Sequence, residues 1–271
     1  MSARASELPA PEAVLAERGG GRGRVGAYAV FLDYDGVLTP IVDNPSDAVM
    51  GPEMRRIVSD LAQRASVCVV SGRDRGVVTE LMGLDDLIVA GSHGFDIYDP
   101  RHGVITHDAS SGFEELVEKV TAEVSERAAG IEGTLVEPKH ASVALHYRAV
   151  DPSRHAEVQE LVDGVLAAHP GELRVTPGKF VHEIQPKIDW NKGRAVEHLL
   201  DVLDLRGPGV LPVYLGDDVT DEDAFRAPSM ADGGLGVLVI DPSDAPARET
   251  AASAVLPDVD GVARFLDALA R

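Results

Sequence analysis

FLDYDGVLTPIVDNP, residues 31–45, ends an apolar run in two carboxylates, Asp33 and Asp35, and follows them directly with glycine. The run AYAVFLD, residues 27–33, is short, rich in β-formers and closes on polar residues, as a buried parallel strand does. Outward from it the same alternation repeats. PEMRRIVSDLAQRA (52–65) reads as a helix opened by Pro52, SVCVVSG (66–72) as a strand, RDRGVVTELMG (73–83) as a helix and LIVAGSHG (87–94) as a strand. Strands alternating with helices of this length predict an α/β fold, a parallel sheet with helices on its faces.

Near residue 108 the rhythm changes. Ser111 and Glu114 form a capping box before a helix to about residue 128, and the strands GTLVEPK (133–139) and SVALHYR (142–148) follow. A helix over 154–168 and the strands LRVTP (173–177) and KFVHEIQP (179–186) repeat that order, predicting an inserted α+β unit, αββαββ, with an antiparallel sheet. After Pro186 the first rhythm returns: a helix over 192–203, the strand VLPVYLGDD (210–218), a short helix from about residue 221, the strand GVLVI (236–240) and a helix near VARFLDALA (262–270). The expected organisation is a tail (1–24), a split core (25–108 and 187–271) and a cap (109–186). The Arg- and Gly-rich stretch RGGGRGR (18–24) reads as a flexible entry to the first core strand.

The 271 residues carry 45 acidic against 25 basic side chains, a net charge of -20 that repels nucleic acid phosphates and anionic membranes. With 44% hydrophobic residues the chain can bury a sizeable core. No stretch approaches the roughly 18 apolar residues that read as a membrane span. The single cysteine, Cys68, lies in an apolar strand and suits a reducing, cytoplasmic setting.

Ligands of open parallel sheets bind beyond the carboxyl ends of the strands. Those positions hold Asp33, Asp35 and Gly36, then Ser71, Gly72 and Arg73, then Gly216, Asp217, Asp218 and Asp221, with Lys192 opening the helix between cap and core. Such carboxylates converge only around a cation, and an all-oxygen donor set favours Mg2+. DDVTDEDAF is no EF-hand loop, since Val219 stands at the third ligand position, and no HExxH pair supports zinc. Taken singly, Asp33 and Asp35 also suit an Asx turn, Ser71 a helix N-cap and Lys192 a solvated surface.

DYDGVL, SGR, the lysine of WNKGRA and GDDVTDEDAF occur in the order of the four motifs of the haloacid dehalogenase superfamily. With GSHG, HYR, and GK followed by HEIQP, the chain more narrowly resembles the trehalose-6-phosphate phosphatases. The resemblance implies a Rossmann-like core with a specificity cap and hydrolysis of trehalose 6-phosphate. Asp33 is then the nucleophile and Asp35 the acid and base. Mg2+ is held by Asp33, the Asp35 carbonyl and Asp217, with Asp218 and Asp221 orienting its waters. Ser71, a catalytic residue, and the Gly72 amide hydrogen-bond phosphate oxygens, Arg73 binds substrate, and Lys192 offsets phosphoryl charge.

In the cap, the resemblance gives the sugar hydroxyls to Glu137, Lys139, Arg148, Lys179 and Glu183, and His93 can meet the sugar from the core side. Lys179 and Glu183 are equally at home as solvated partners on an exposed strand. Another sugar phosphate, such as sucrose 6-phosphate or mannosyl-3-phosphoglycerate, and a non-catalytic sugar-phosphate sensor remain alternatives. A sugar phosphate is the expected small-molecule partner, with a functional link to a trehalose-phosphate synthase.

Overall fold

The structure, a computed structural model, describes residues 2–19, 26–106, 113–178 and 180–271. Lys179, Ser111 and most of the stretch 18–24 lie outside the described residues. In chain order the first part runs β1 (Ala3–Arg4), α1 (Pro11–Gly19), β2 (Ala27–Leu32), α2 (Pro52–Ala62), β3 (Ser66–Val70), α3 (Arg75–Met82), β4 (Ile88–Gly91), β5 (Asp96–Asp99) and β6 (Gly103–Ile105). Next come α4 (Phe113–Ala128), β7 (Leu135–Pro138), β8 (Val143–His146), α5 (His155–Ala168), β9 (Leu173–Gly178) and β10 (Val181–Pro186). The chain closes with α6 (Lys192–Val202), β11 (Val210–Gly216), α7 (Glu222–Phe225), α8 (Pro228–Ala231), β12 (Leu235–Val239), β13 (Glu249–Thr250), β14 (Ala254–Leu256) and α9 (Val259–Leu269). Two compact units result, Met1–Ile105 with Trp190–Arg271, and Thr106–Asp189.

The first unit is built on a sheet ordered β14-β12-β11-β2-β3-β4-β5-β6. From β14 to β4 every pairing is parallel, whereas β4, β5 and β6 pair antiparallel. Helix α2 starts at Pro52, whose missing N–H costs nothing in a first turn, and aligns Met54, Ile57, Val58 and Leu61 on one stripe. That stripe packs with Val30, Leu32, Val67, Val69, Val213 and Leu215 of the sheet and with Val262, Phe265 and Leu266 of α9. Emptying one such position, as in Leu61→Ala, costs about 2–5 kcal/mol. The alternate residues Phe31, Cys68 and Tyr214 are also fully buried, which is why these strands read as continuous apolar runs.

Residues 2–19 differ from the expected tail. Strand β1 pairs antiparallel with β13, Ala5 is completely buried, Val14 and Leu15 pack against the core, and Val255 donates its N–H to the Pro9 carbonyl at 3.0 Å. These small and apolar side chains cover the β14 edge of the sheet, a use that their weak periodicity did not announce.

The second unit is an antiparallel sheet ordered β7-β8-β10-β9. Val120 and Val124 of α4 and Val158, Leu161, Val162 and Val165 of α5 pack on one of its faces against Val143, Leu145 and Ile184. Side chains alternate across a strand, so the neighbouring positions Glu137, Ala144 and Glu183, in register across β7, β8 and β10, share the opposite face.

Candidate active site

Strands β11, β2 and β3 are parallel neighbours, so their carboxyl ends lie side by side. Asp33 stands one residue past β2 and keeps its N–H on the Leu215 carbonyl at 2.9 Å. Its side chain is 8% exposed; Oδ1 accepts from the Tyr34 N–H at 2.7 Å and Oδ2 lies 2.8 Å from Lys192 Nζ. Lys192, also buried, opens the first turn of α6, whose cap Asn191 accepts from the Arg194 N–H at 2.9 Å. Nζ also donates to Asp221 Oδ1 at 2.7 Å.

Asp221, expected only to orient waters, is the most deeply buried carboxylate of the set. Tyr214 donates its hydroxyl to the same Oδ1 at 2.6 Å, and the Asp217 and Asp218 N–H groups both donate to Oδ2 at 2.9 Å. It thus fastens the β11 loop, strand β11 and α6 together. Asp218 is exposed, and its Oδ1 accepts from the Val219 N–H at 2.6 Å as a helix cap. Tyr214 escaped the sequence reading; its one signal was a phenol within a buried aliphatic strand, where the hydroxyl requires a partner.

Burial pushes Asp33 up to about 8, against the pull of Lys192 and helped by the charge of Asp221. Burial, with the charges of Asp221 and Asp218, pushes Asp217 up to about 7. Burial would raise Asp221 too, but Lys192 and the Tyr214 hydrogen bond outweigh it and hold this carboxyl below its ordinary value. Burial would lower the Lys192 ammonium, yet Asp33 and Asp221 together hold it above its ordinary value. One ammonium cannot neutralise three carboxylates.

Oxygens of Asp33, Asp217 and Asp221 all lie within 4.8 Å of one another, a hard donor set that fits a divalent ion such as Mg2+. Both oxygens of Asp221 and both of Asp33 already have partners, so an ion there would share these carboxylates with Lys192 and the backbone. Gly36 makes room for this: its φ is +71°, and a Cβ there would stand 2.1 Å from Asp217 Oδ2. Beside the cluster a groove of about 710 Å3 is lined by Gly36, Pro40, Ile41 and Asp217, among others.

Asp35 is gripped by Arg73, which donates from Nε to Oδ2 at 2.7 Å and from Nη2 to Oδ1 at 2.6 Å. Arg73 also donates from Nη1 to the Pro45 carbonyl at 2.8 Å, so it meets a carboxylate and a loop in place of an open phosphate pocket. Ser71 is buried and its Oγ accepts from the Arg73 N–H at 3.1 Å; the cap position of α3 falls to Asp74 instead. Ser92 and His93 adopt φ values of 50° and 58°, and the His93 ring lies so close to Gly72 that a Cβ there would stand 2.7 Å from Cε1. Their N–H groups donate at 2.7 Å to the Arg73 and Ser71 carbonyls, interlocking the two strand ends.

In the second unit, Glu183 Oε1 accepts from Ser142 Oγ at 2.7 Å and lies 3.5 Å from Lys139 Nζ. Glu137 Oε2 pairs with His146 Nε2 at 2.7 Å. Arg148 is exposed just past β8. Glu137 and Glu183 therefore lie on the sheet face opposite α4 and α5, with Lys139 beside Glu183.

The trehalose-phosphatase family matches residues 31–260. The chain is 41% identical over 263 residues to the probable trehalose-phosphate phosphatase 2 of Oryza sativa subsp. japonica, covering 89% of this chain and 68% of that protein. It is 40% identical over 254 residues to a trehalose 6-phosphate phosphatase of Zea mays, covering 89% and 69%. Other plant relatives are covered over 64% to 71% of their length. Among solved structures, Aspergillus fumigatus trehalose-6-phosphate phosphatase superposes with a TM-score of 0.67 at 28% identity, covering 97% of this chain and 98% of that one. The C-terminal domain of the Candida albicans trehalose synthase regulatory protein has the same fold, with a TM-score of 0.68 at 15% identity over 98% and 100% of the two chains.

Proposed function

This chain belongs to the trehalose-phosphatase family and is an enzyme of it, and from that premise we propose that it hydrolyses trehalose 6-phosphate to trehalose and phosphate through an aspartyl-phosphate on Asp33. The observation that carries this reading is the buried chain Asp33–Lys192–Asp221 with Asp217 beside it. A sensor of sugar phosphates has no use for a nucleophile ion-paired inside the core, whereas phosphoryl transfer depends on one held in place.

In the first step a carboxylate oxygen of Asp33 attacks phosphorus, the bond from phosphorus to the sugar oxygen breaks, and Asp35 delivers a proton to that oxygen. In the second, Asp35 takes a proton from water as the water oxygen attacks phosphorus, which frees Asp33 and releases phosphate. The Ser71 hydroxyl and Gly72 amide donate to phosphoryl oxygens, and Lys192 aims Asp33 and favours its ionised form against the burial that opposes it. Asp33, Asp217 and the Asp35 carbonyl are the groups that would hold Mg2+, with Asp218 and Asp221 supporting them. When bound, the ion offsets charge on the phosphoryl oxygens.

Glu137, Lys139, Arg148 and Glu183, with Lys179 from the sequence, recognise the sugar hydroxyls, which charged donors and acceptors bind more strongly than neutral ones do. His93, held against Gly72, is the sugar contact from the core. A buried, reduced Cys68 suits the cytoplasm, and a link to the trehalose-phosphate synthase that makes the substrate belongs to the same reading. Among the described residues no helix is long and apolar enough to cross a membrane.

The test is phosphate release from a panel of sugar phosphates, with and without Mg2+. Trehalose 6-phosphate is expected to exceed glucose 6-phosphate by a wide margin, and Asp33→Asn to abolish release. Equal rates on the two sugars would remove the substrate assignment, and full activity of the variant would remove the covalent route.

A further inference from the structure

We propose that Arg73 is a positioning residue for Asp35, holding that carboxyl in the orientation the reaction needs, and that it is not a ligand of the substrate phosphate. The inference rests on the reading of Asp35 as acid and base. It starts from the guanidinium, whose Nε and Nη2 edge faces both Asp35 oxygens at 2.7 and 2.6 Å. Such a fork fixes the plane of a carboxylate as well as its place, which a point charge cannot do.

The fork is itself held. Nη1 reaches the Pro45 carbonyl at 2.8 Å, and the guanidinium carbon lies 5.9 Å from the centre of the Tyr34 ring. On the main chain, the Arg73 N–H donates to Ser71 Oγ at 3.1 Å and the Arg73 carbonyl accepts from the Ser92 N–H at 2.7 Å. A phosphate could take a bidentate grip on this side chain only by displacing Asp35 or Pro45.

Asp35 needs the support. It follows Tyr34 into the turn at Gly36, and its side chain is 38% exposed, against 17% for Arg73. Unlike Asp33, which its own neighbour's amide and Lys192 restrain, Asp35 owes its carboxyl orientation to a residue on the next strand end. Arg73 also joins that carboxyl to the loop carrying Pro45.

The experiment compares Arg73→Ala and Arg73→Lys with the unaltered enzyme and with Asp35→Asn. For Arg73→Ala, kcat should fall about 100-fold while KM for trehalose 6-phosphate and inhibition by inorganic phosphate stay within about threefold. Guanidinium ion added at low concentration should restore part of the lost kcat. Arg73→Lys keeps the charge without the fork and should remain slow at normal KM; it carries the test if the alanine variant loses its cooperative thermal transition. A rise in KM or weakened phosphate inhibition at preserved kcat, or failure of guanidinium to raise the rate, would overturn the positioning role. If Asp35→Asn is inactive while both Arg73 variants keep full kcat, this inference alone falls. If Asp35→Asn turns over normally, the reading of Asp35 falls with it.

Discussion

Lys192 Nζ lies 2.8 Å from Asp33 Oδ2, so the first residue of α6 is ion-paired to the first residue beyond β2. The same ammonium serves Asp221 at 2.7 Å, and all three side chains are buried. Replacing Lys192 with methionine strands two buried carboxylates. Breaking a buried pair by removing one partner costs on the order of 3–5 kcal/mol. Denaturant titration of Lys192→Met should show a midpoint lowered accordingly, together with loss of phosphate release; an unchanged midpoint would mean that the pair is not formed in solution.

Asp33 and Asp217 set the response to pH. Their folded values of about 8 and about 7 lie above the unfolded carboxylate value, so the folded chain binds more protons than the unfolded one between the two. The stability they contribute is present at low pH and lost as pH rises through about 7 to 8. Binding of Mg2+ requires both in ionised form, so its stabilising effect must grow across the same window. Thermal scans with chelator and with saturating Mg2+, from about pH 5 to about pH 9, should give a widening gap. A gap independent of pH would count against Asp33 and Asp217 as the ligands.

Gly36→Ala tests the room left for Asp217. The methyl would meet Oδ2 at 2.1 Å, and φ of +71° adds strain of roughly 1–2 kcal/mol for any residue with a Cβ. Asp217 has to move. The half-saturating Mg2+ concentration, read by calorimetry, should rise well beyond any change in overall stability, and an unaltered value would show that Asp217 binds nothing there.

Much of the core was legible because the strands that carry the site are buried on both faces. Val30, Leu32, Val67 and Val69 had to be apolar, and the polar residues after them had to mark the strand ends. Strands β5 and β6 were missed, because DIYD is short and half-polar and GVI has only three residues, at the edge of the sheet. Strand β14 has three residues and no periodicity to read. Asp33, Lys192 and Asp217 stood out by type and order, but their hydrogen bonds did not. Arg73 lies 38 positions from Asp35, and nothing in SGR tells a carboxylate partner from a phosphate.

Tyr214 carries a separable prediction. Its hydroxyl shares Asp221 Oδ1 with Lys192 at 2.6 Å. Tyr214→Phe removes one of several hydrogen bonds to a buried carboxylate, so unfolding free energy should drop by on the order of 1–3 kcal/mol. The drop should nearly vanish in Asp221→Asn, where the bond no longer has a charged acceptor; equal losses in both backgrounds would show that the phenol contributes only its ring.

Specificity should reside in the second unit. Glu183→Gln removes the charge that Ser142 and Lys139 face, while leaving the carboxylates of the first unit untouched. A hydrogen bond to a charged group contributes about 1.5–3 kcal/mol, so KM for trehalose 6-phosphate should rise roughly 10- to 100-fold. Hydrolysis of p-nitrophenyl phosphate, which has no sugar, should be unchanged. A parallel loss on both substrates would remove Glu183 from sugar recognition.

The sheet order also fixes when the site comes into being. β2 is flanked by β3, made directly after it, and by β11, made only after the whole of Thr106–Asp189 has been translated. A nascent chain still inside that segment already carries Asp33 and Asp35, yet it has neither Lys192 nor Asp217 to complete the cluster. The two acids of DYDG thus wait through most of biosynthesis at an open sheet edge, and their proximity becomes useful only when the last third of the chain arrives to close it.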